Sequence, residues 1–170
     1  TEIGDMPIEE VVKLTNNVHV LSYNHKTQIL EWRKVNASKI SEASKLVRLK
    51  THKGNLLCCT EEHRIFISEL GYTKASNVKR GDKLVTIQKK QTDSVSLVEH
   101  FCTNIQPVYD LQVEGNSNFF ANGILVHNCG LIDDPVENWQ EAQSQTIRDI
   151  CWEWYRSTFR TRIWENGSIV

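Results

Sequence analysis

Hydrophobic and polar positions alternate along most of the chain in short runs broken by turn residues, a period-two pattern that predicts β-strands. Asn17 to Tyr23 alternates, Asn24-His25-Lys26-Thr27 turns, and Gln28 to Trp32 returns. Lys34 to Ser44 is polar with scattered Val, Ala and Ile and reads as extended, although a helix also fits it. Lys45 to Thr51 and Leu56 to Thr60 flank the turn His52-Lys53-Gly54-Asn55, and Ile65-Phe66-Ile67 follows. Gly71 and Arg80-Gly81-Asp82 punctuate the next segment before a strand at Leu84 to Ile87. Ser94 to Cys102 is strand-like, and Val108 to Val113 is β-branched and apolar. Glu114 to Asn118 turns, and Phe119-Phe120 and Ile124-Leu125-Val126 flank Asn122-Gly123, a dipeptide suited to a type I′ hairpin turn. Helical spacing appears only at Ile8, Val11 and Val12, and again from about Val136 to Ser157. Many short strands with frequent turns predict an all-β body over 1–128, followed by a mainly helical tail over 129–170.

Composition sharpens this division. Residues 1–128 carry 16 basic and 14 acidic side chains, residues 129–170 carry 4 and 7, and the sign of the net charge changes between them. Neither part has the basic balance of a nucleic-acid-binding surface. Four of the five tryptophans lie in the 42-residue tail, more aromatic area than so short a piece can bury alone, so it reads as part of a larger domain. Five cysteines without C-x-x-C spacing argue against a disulfide framework or a zinc site. No apolar run reaches membrane-spanning length.

Chemistry concentrates at the end of the last predicted strand, in His127-Asn128-Cys129. The amide of Asn128 can close on its own carbonyl carbon to form a succinimide and release the amine of Cys129. As thiolate, Cys129 can accept an acyl group and pass it to that freed amine. His127 can protonate the departing nitrogen or polarise the carbonyl. Upstream, Thr60-Glu61-Glu62-His63 places a hydroxyl and an imidazole at a strand end, where His63 can donate to an amide nitrogen that Thr60 orients. Asp110 lies on the predicted strand Val108 to Val113, and a carboxylate there could relay protons if the fold brings it near such groups. Alone, these residues also fit a strand end that happens to read His-Asn-Cys, a solvated surface histidine and a structural aspartate.

The surrounding runs carry more. The segment VYDLQVEGNSNFFANGILVHNC closely resembles the C-terminal splicing motif of inteins, the self-excising Hint domains: a Tyr-Asp strand, an Asn-Phe turn, an Asn-Gly-Ile-Leu-Val strand, then His-Asn before Cys. The segment KGNLLCCTEEHRIFISELGYTKASNVKRGDKLV resembles the intein motif that joins Thr-x-x-His to a downstream Gly-aromatic, Ala and Gly-Asp turn. The resemblance implies a Hint-type all-β horseshoe and assigns catalytic roles to Thr60, His63, Asp110, His127, Asn128 and Cys129. It implies a four-step exchange of bonds with no cofactor. An N-terminal Cys or Ser shifts its preceding peptide bond to an ester or thioester, Cys129 takes the acyl group, Asn128 cyclises, and the acyl group moves to nitrogen.

Two departures stand out. Ser117 sits where many inteins carry a histidine, leaving open whether His127 acts alone on Asn128. His19, His25, His52 and His100 read as ordinary surface or strand residues. Thr1 is not the N-terminal nucleophile, and EIGDMPIEEVV resembles the segment that follows the first motif. By this alignment the intein segment expected to precede it is on the order of 15–25 residues long. The expectation is the large C-terminal fragment of a split mini-intein, with the short linker Gln88 to Asp93 where larger inteins carry a homing endonuclease. Its expected partner is a short N-terminal intein peptide beginning with Cys or Ser and carrying the N-extein, with no membrane or nucleic acid. The segment 129–170 resembles the ATPase domain of phage terminase large subunits, in which Asp133 and Asp134 would hold Mg²⁺ only in the intact protein. There is no phosphate loop, so no ATPase activity is expected, and the expected location is the cytoplasm of an infected bacterial cell. Rival classes are a binding module with an incidental His-Asn-Cys, a cysteine hydrolase using Cys129 with His127 or His63, and a terminase fragment with an inert or truncated insertion.

Overall fold

A computed structural model describes residues 1–15, 17–87 and 92–128, together with Gln145 and Asp149, which are helical. The chain divides into two compact units, Thr1–Asn128 and Cys129–Val170. The first is almost entirely β. After one helical turn, α1 (Ile8–Val11), and a 3₁₀ turn (Val12–Leu14), nine strands follow among the described residues: β1 (His19–Asn24), β2 (Ile29–Thr51), β3 (Leu56–Thr60), β4 (Arg64–Ile67), β5 (Gly71–Lys74), β6 (Lys83–Val85), β7 (Thr92–Val113), β8 (Asn118–Ala121) and β9 (Ile124–His127). The expected helical tail lies outside the described residues apart from Gln145 and Asp149.

One sheet runs in the order β1-β2-β7-β6-β4-β9-β8, with β3 attached to β2 and β5 attached to β4. Its spine is the antiparallel pair β2–β7, in register from Val35↔Val113 to Thr51↔Val95. The sequence suggests several separate segments here. The structure instead joins Gln28–Trp32, Lys34–Ser44 and Lys45–Thr51 almost entirely into β2, and joins Ser94–Cys102 with Val108–Val113 into β7. Midway, the two strands leave the core. Ile40 is 62% and Ile105 70% exposed, and neither face there needs an apolar stripe. Pro107, opposite Glu42, is tolerated because β7 pairs with β2 alone at that level. A register shift between Ala43 and Lys45 absorbs three residues against one.

The core gathers where the ends of this spine meet the short strands. Val35, Val47, Leu49, Ile65, Leu84, Val95, Ile124 and Val126 are all fully buried. The closing hairpin β8–β9 turns at Asn122-Gly123, both with positive φ (46° and 78°), as a type I′ turn requires. Its tip is pinned twice. Asn122 Nδ2 donates to the Leu56 carbonyl at 2.9 Å, and Ile87 N donates to the Gly123 carbonyl at 3.0 Å. With the tip fixed, the opposite end of β9 delivers His127 and Asn128 to a defined place.

Candidate functional site

β9 runs antiparallel to β4 through the rung Ile65↔Val126. Continuing that register sets Arg64 beside His127 and His63 beside Asn128. Two motifs far apart in sequence thus meet because the apolar residues Ile65 and Val126, both fully buried, fix the pairing. His63 is presented by a tight turn after β3. Its backbone N–H donates to the Thr60 carbonyl at 3.2 Å, and its own carbonyl accepts from Ala75 N at 2.7 Å.

Asp110 comes to the same place from β7, where it pairs with Lys39 and one carboxylate oxygen accepts from Leu111 N at 2.8 Å. It faces both imidazoles electrostatically. Burial pushes His63 below the usual histidine range, against the pull of Asp110. Burial also lowers His127. The Asn128 carbonyl and Asp110 oppose this, and the charge of Arg64, with that of His63 when it is protonated, adds to it. Both rings are therefore neutral near pH 7.

The end of β9 is built tightly. Asn128 is 5% exposed, and its N–H donates to the Ser117 carbonyl at 3.1 Å. Ser117 makes this contact through its backbone, in a left-handed conformation (φ 53°) that favours small or polar residues. His127 Nδ1 lies 2.5 Å from the Asn128 carbonyl oxygen. That oxygen belongs to the bond joining Asn128 to Cys129. A proton on Nδ1 makes the imidazole a donor to the carbonyl, drawing electron density from the carbon that the Asn128 amide would attack. Of the two roles open to His127 on sequence, the geometry fits carbonyl polarisation. The Asn128 Oδ1 and Arg64 Nε atoms are both buried and have no hydrogen-bond partner among the described residues.

Behind His127 stands a network that the sequence did not mark. Asn118, fully buried and opposite His127 in the β8–β9 pair, uses its whole amide. Oδ1 accepts from Ser22 Oγ (2.9 Å) and Tyr23 N (2.8 Å), and Nδ2 donates to the carbonyls of Tyr23 (2.9 Å) and Asn116 (3.0 Å). This ties the closing hairpin to β1.

The structure thus brings together His63, Asp110, His127 and Asn128, with Thr60 at the start of the His63 turn. Cys129, Asp133 and Asp134 lie outside the described residues, as does most of the Gln88 to Asp93 linker. Arg64, Tyr72 and Asn118 were missed. Arg64 adjoins the Thr-x-x-His run and Tyr72 is the aromatic of its Gly-aromatic pair, so both stood inside a recognised pattern. Asn118 is the Asn of the Asn-Phe turn in the closing motif, but nothing in that pattern marks its side chain as the centre of a buried network.

No protein-family model matches the chain. A DNA polymerase from Thermococcus aggregans is 30% identical over 120 residues, 68% of this chain, and the chain spans about 6% of that polymerase. Among solved structures, the DnaX mini intein from Spirulina platensis is 35% identical with a TM-score of 0.58, covering 65% of this chain and 81% of its own. The DnaB intein from Synechocystis sp. PCC 6803 is 25% identical with a TM-score of 0.64, covering 74% of this chain and 87% of its own.

Proposed function

Proceeding from the Hint fold of inteins, which this chain has, we propose that it performs protein splicing in trans. It associates with a short N-terminal intein peptide, excises residues 1–128, and leaves Cys129 joined to the segment the peptide carried. The observation that supports the reading most is the His127 Nδ1 contact to the Asn128 carbonyl at 2.5 Å, made at the bond that splicing must break.

The steps follow from the residues. In the first, an N-terminal Cys or Ser of the peptide attacks the carbonyl before it, and its own nitrogen leaves with a proton. His63 is the donor to that nitrogen, and Thr60 aligns the bond. Asp110, which faces His63 and His127, takes the proton of the Cys129 thiol as its sulfur bonds to the acyl carbon of the ester or thioester, and returns it to the oxygen or sulfur of the peptide's first residue as that bond breaks. Asn128 then cyclises: Nδ2 bonds to its own carbonyl carbon, the bond to the Cys129 nitrogen breaks, and the proton lost by Nδ2 ends on that amine. Finally the acyl group moves from Cys129 sulfur to nitrogen. One bond forms for each that breaks, so no external energy source enters.

Two features support a partner strand. β3 is paired on one side only among the described residues, by β2, and it ends at Thr60. A peptide strand added to that free edge would run toward Thr60 and His63. The buried Asn128 Oδ1 and Arg64 Nε offer an acceptor and a donor at the site. The Asp133-Asp134 run supports reading the host segment as part of a phage terminase large subunit, and with it a location in the cytoplasm of an infected bacterial cell. A match confined to about 6% of a polymerase is what a domain carried inside an unrelated host gives.

The test is ligation. A synthetic peptide holding the N-terminal intein segment, with a tagged extein before its first Cys or Ser, is mixed with the chain. Expected is a tagged product that contains residues 129–170. A peptide that binds and yields no ligated product would instead mean an inactive insertion.

A further inference from the structure

Ser117 stands where a histidine would be expected to assist Asn128, so something else must hold His127 to its task. Tyr72, on β5, presents its ring to the His127 imidazole, with centroids 4.6 Å apart and planes at 83°. A ring packed this way restricts rotation of the imidazole about its side-chain bonds. Tyr72 is itself fixed at its far end. Its hydroxyl hydrogen-bonds His25 Nε2 at 3.0 Å and also meets the Asn118 side chain. Burial holds the phenol far above its ordinary range, so it stays protonated.

His25 keeps much of its surface in solvent, as sequence reasoning expects, yet it is not a bystander. It packs on Phe66 at 4.7 Å and on Tyr23 at 5.0 Å, and Phe66 in turn packs on Tyr72 at 4.9 Å. Its turn is preset. Asn24 Oδ1 accepts from the N–H groups of Lys26 (3.0 Å) and Thr27 (3.1 Å), folding the loop so that His25 points back over β4 and β5.

We propose that Tyr72 and His25 act as one positioning device for the cleavage at Asn128: the His25–Tyr72 hydrogen bond locks the Tyr72 ring, and the ring holds His127 Nδ1 on the Asn128 carbonyl. Neither residue touches the reacting atoms. The other groups facing His127 are Arg64 from β4, His63 from the preceding turn and Asp110 from β7. They set its charge, and the pair sets its direction.

The inference rests on the reading that Asn128 cyclises. The experiment is a set of single-turnover rates for release of 129–170 from the chain mixed with its N-terminal peptide, with thermal unfolding run on each variant. Tyr72→Phe and His25→Ala are each expected to slow release about three- to tenfold, because a small misdirection of a catalytic group is costly. The double variant should be no slower than the slower single one, since the two act through one hydrogen bond. His25→Gln, which can still bond the hydroxyl, should recover most of the rate. In a His127→Ala background neither change should matter. Multiplying effects, or an unaltered slowing without His127, would overturn the proposal while leaving cyclisation intact. A wild-type chain that never breaks the Asn128–Cys129 bond would overturn the reading beneath it, and the proposal with it.

Discussion

His127 and Asn128 are adjacent in the chain, and the imidazole of the first turns back to within 2.5 Å of the carbonyl oxygen of the second. Such a contact spans a single peptide unit, yet it depends on distant pairings: Ile65 with Val126, and Asn118 with His127. If the contact polarises the carbonyl, His127→Ala should lower the rate of Asn128–Cys129 cleavage by about 10²- to 10³-fold. The check is single-turnover appearance of free 129–170, with circular dichroism to verify folding. An unchanged rate would leave the contact without a role.

Both site histidines are held below their ordinary value, mainly by burial. The sign of the linkage follows. Below about pH 6.5 the unfolded chain takes up protons that the folded chain refuses. The stability these groups contribute is thus present above that pH and is lost as the pH falls toward their folded values. Urea midpoints should be lower at pH 5 than at pH 7.5, and His63→Gln should flatten the difference. A midpoint that rises on acidification would contradict the burial of these rings.

Asn118 is the polar keystone behind the site, with four hydrogen bonds and no exposure. Asn118→Ala strands Ser22 Oγ and the backbone groups of Tyr23 in the interior. The expected loss is about 2–4 kcal/mol, from leaving buried donors and acceptors unpaired. Chemical denaturation measures it. A loss under about 0.5 kcal/mol would place this network among ordinary surface contacts.

The cysteines differ in environment. Cys58 and Cys102 are exposed, whereas the Cys59 thiol packs against the core and burial pushes it up to about 12. Brief alkylation at pH 8, followed by peptide mapping, should label Cys58 and Cys102 well before Cys59, because the thiolate is the reacting form. Equal labelling would mean that β3 opens readily.

The sequence made the closing hairpin legible because Asn122-Gly123 and its alternating flanks act locally: turn type and strand period are properties of a few neighbouring residues. His63, His127 and Asn128 were legible through motif spacing. The two long strands were not, because Ala37–Ser44 and Phe101–Pro107 leave the core and carry no apolar alternation, so their pairing is written in each other and not in themselves. Nor was His25, whose place beside Tyr72 comes from β1 meeting β8 through Asn118, a contact between residues 95 positions apart. Local pattern cannot report such a distance.

The fate of the Asn128–Cys129 bond tests the central claim most directly. Intact mass is recorded for the chain alone, for the chain mixed with the N-terminal intein peptide, and for Asn128→Ala under the same conditions. Expected is slow or no cleavage alone. On mixing, a 1–128 species lighter than the free acid by one water, the mark of a C-terminal succinimide, should appear with a ligated product beginning its new segment at Cys129. Asn128→Ala should give neither. An unchanged mass with peptide bound, or cleavage that survives Asn128→Ala, would contradict splicing through Asn128.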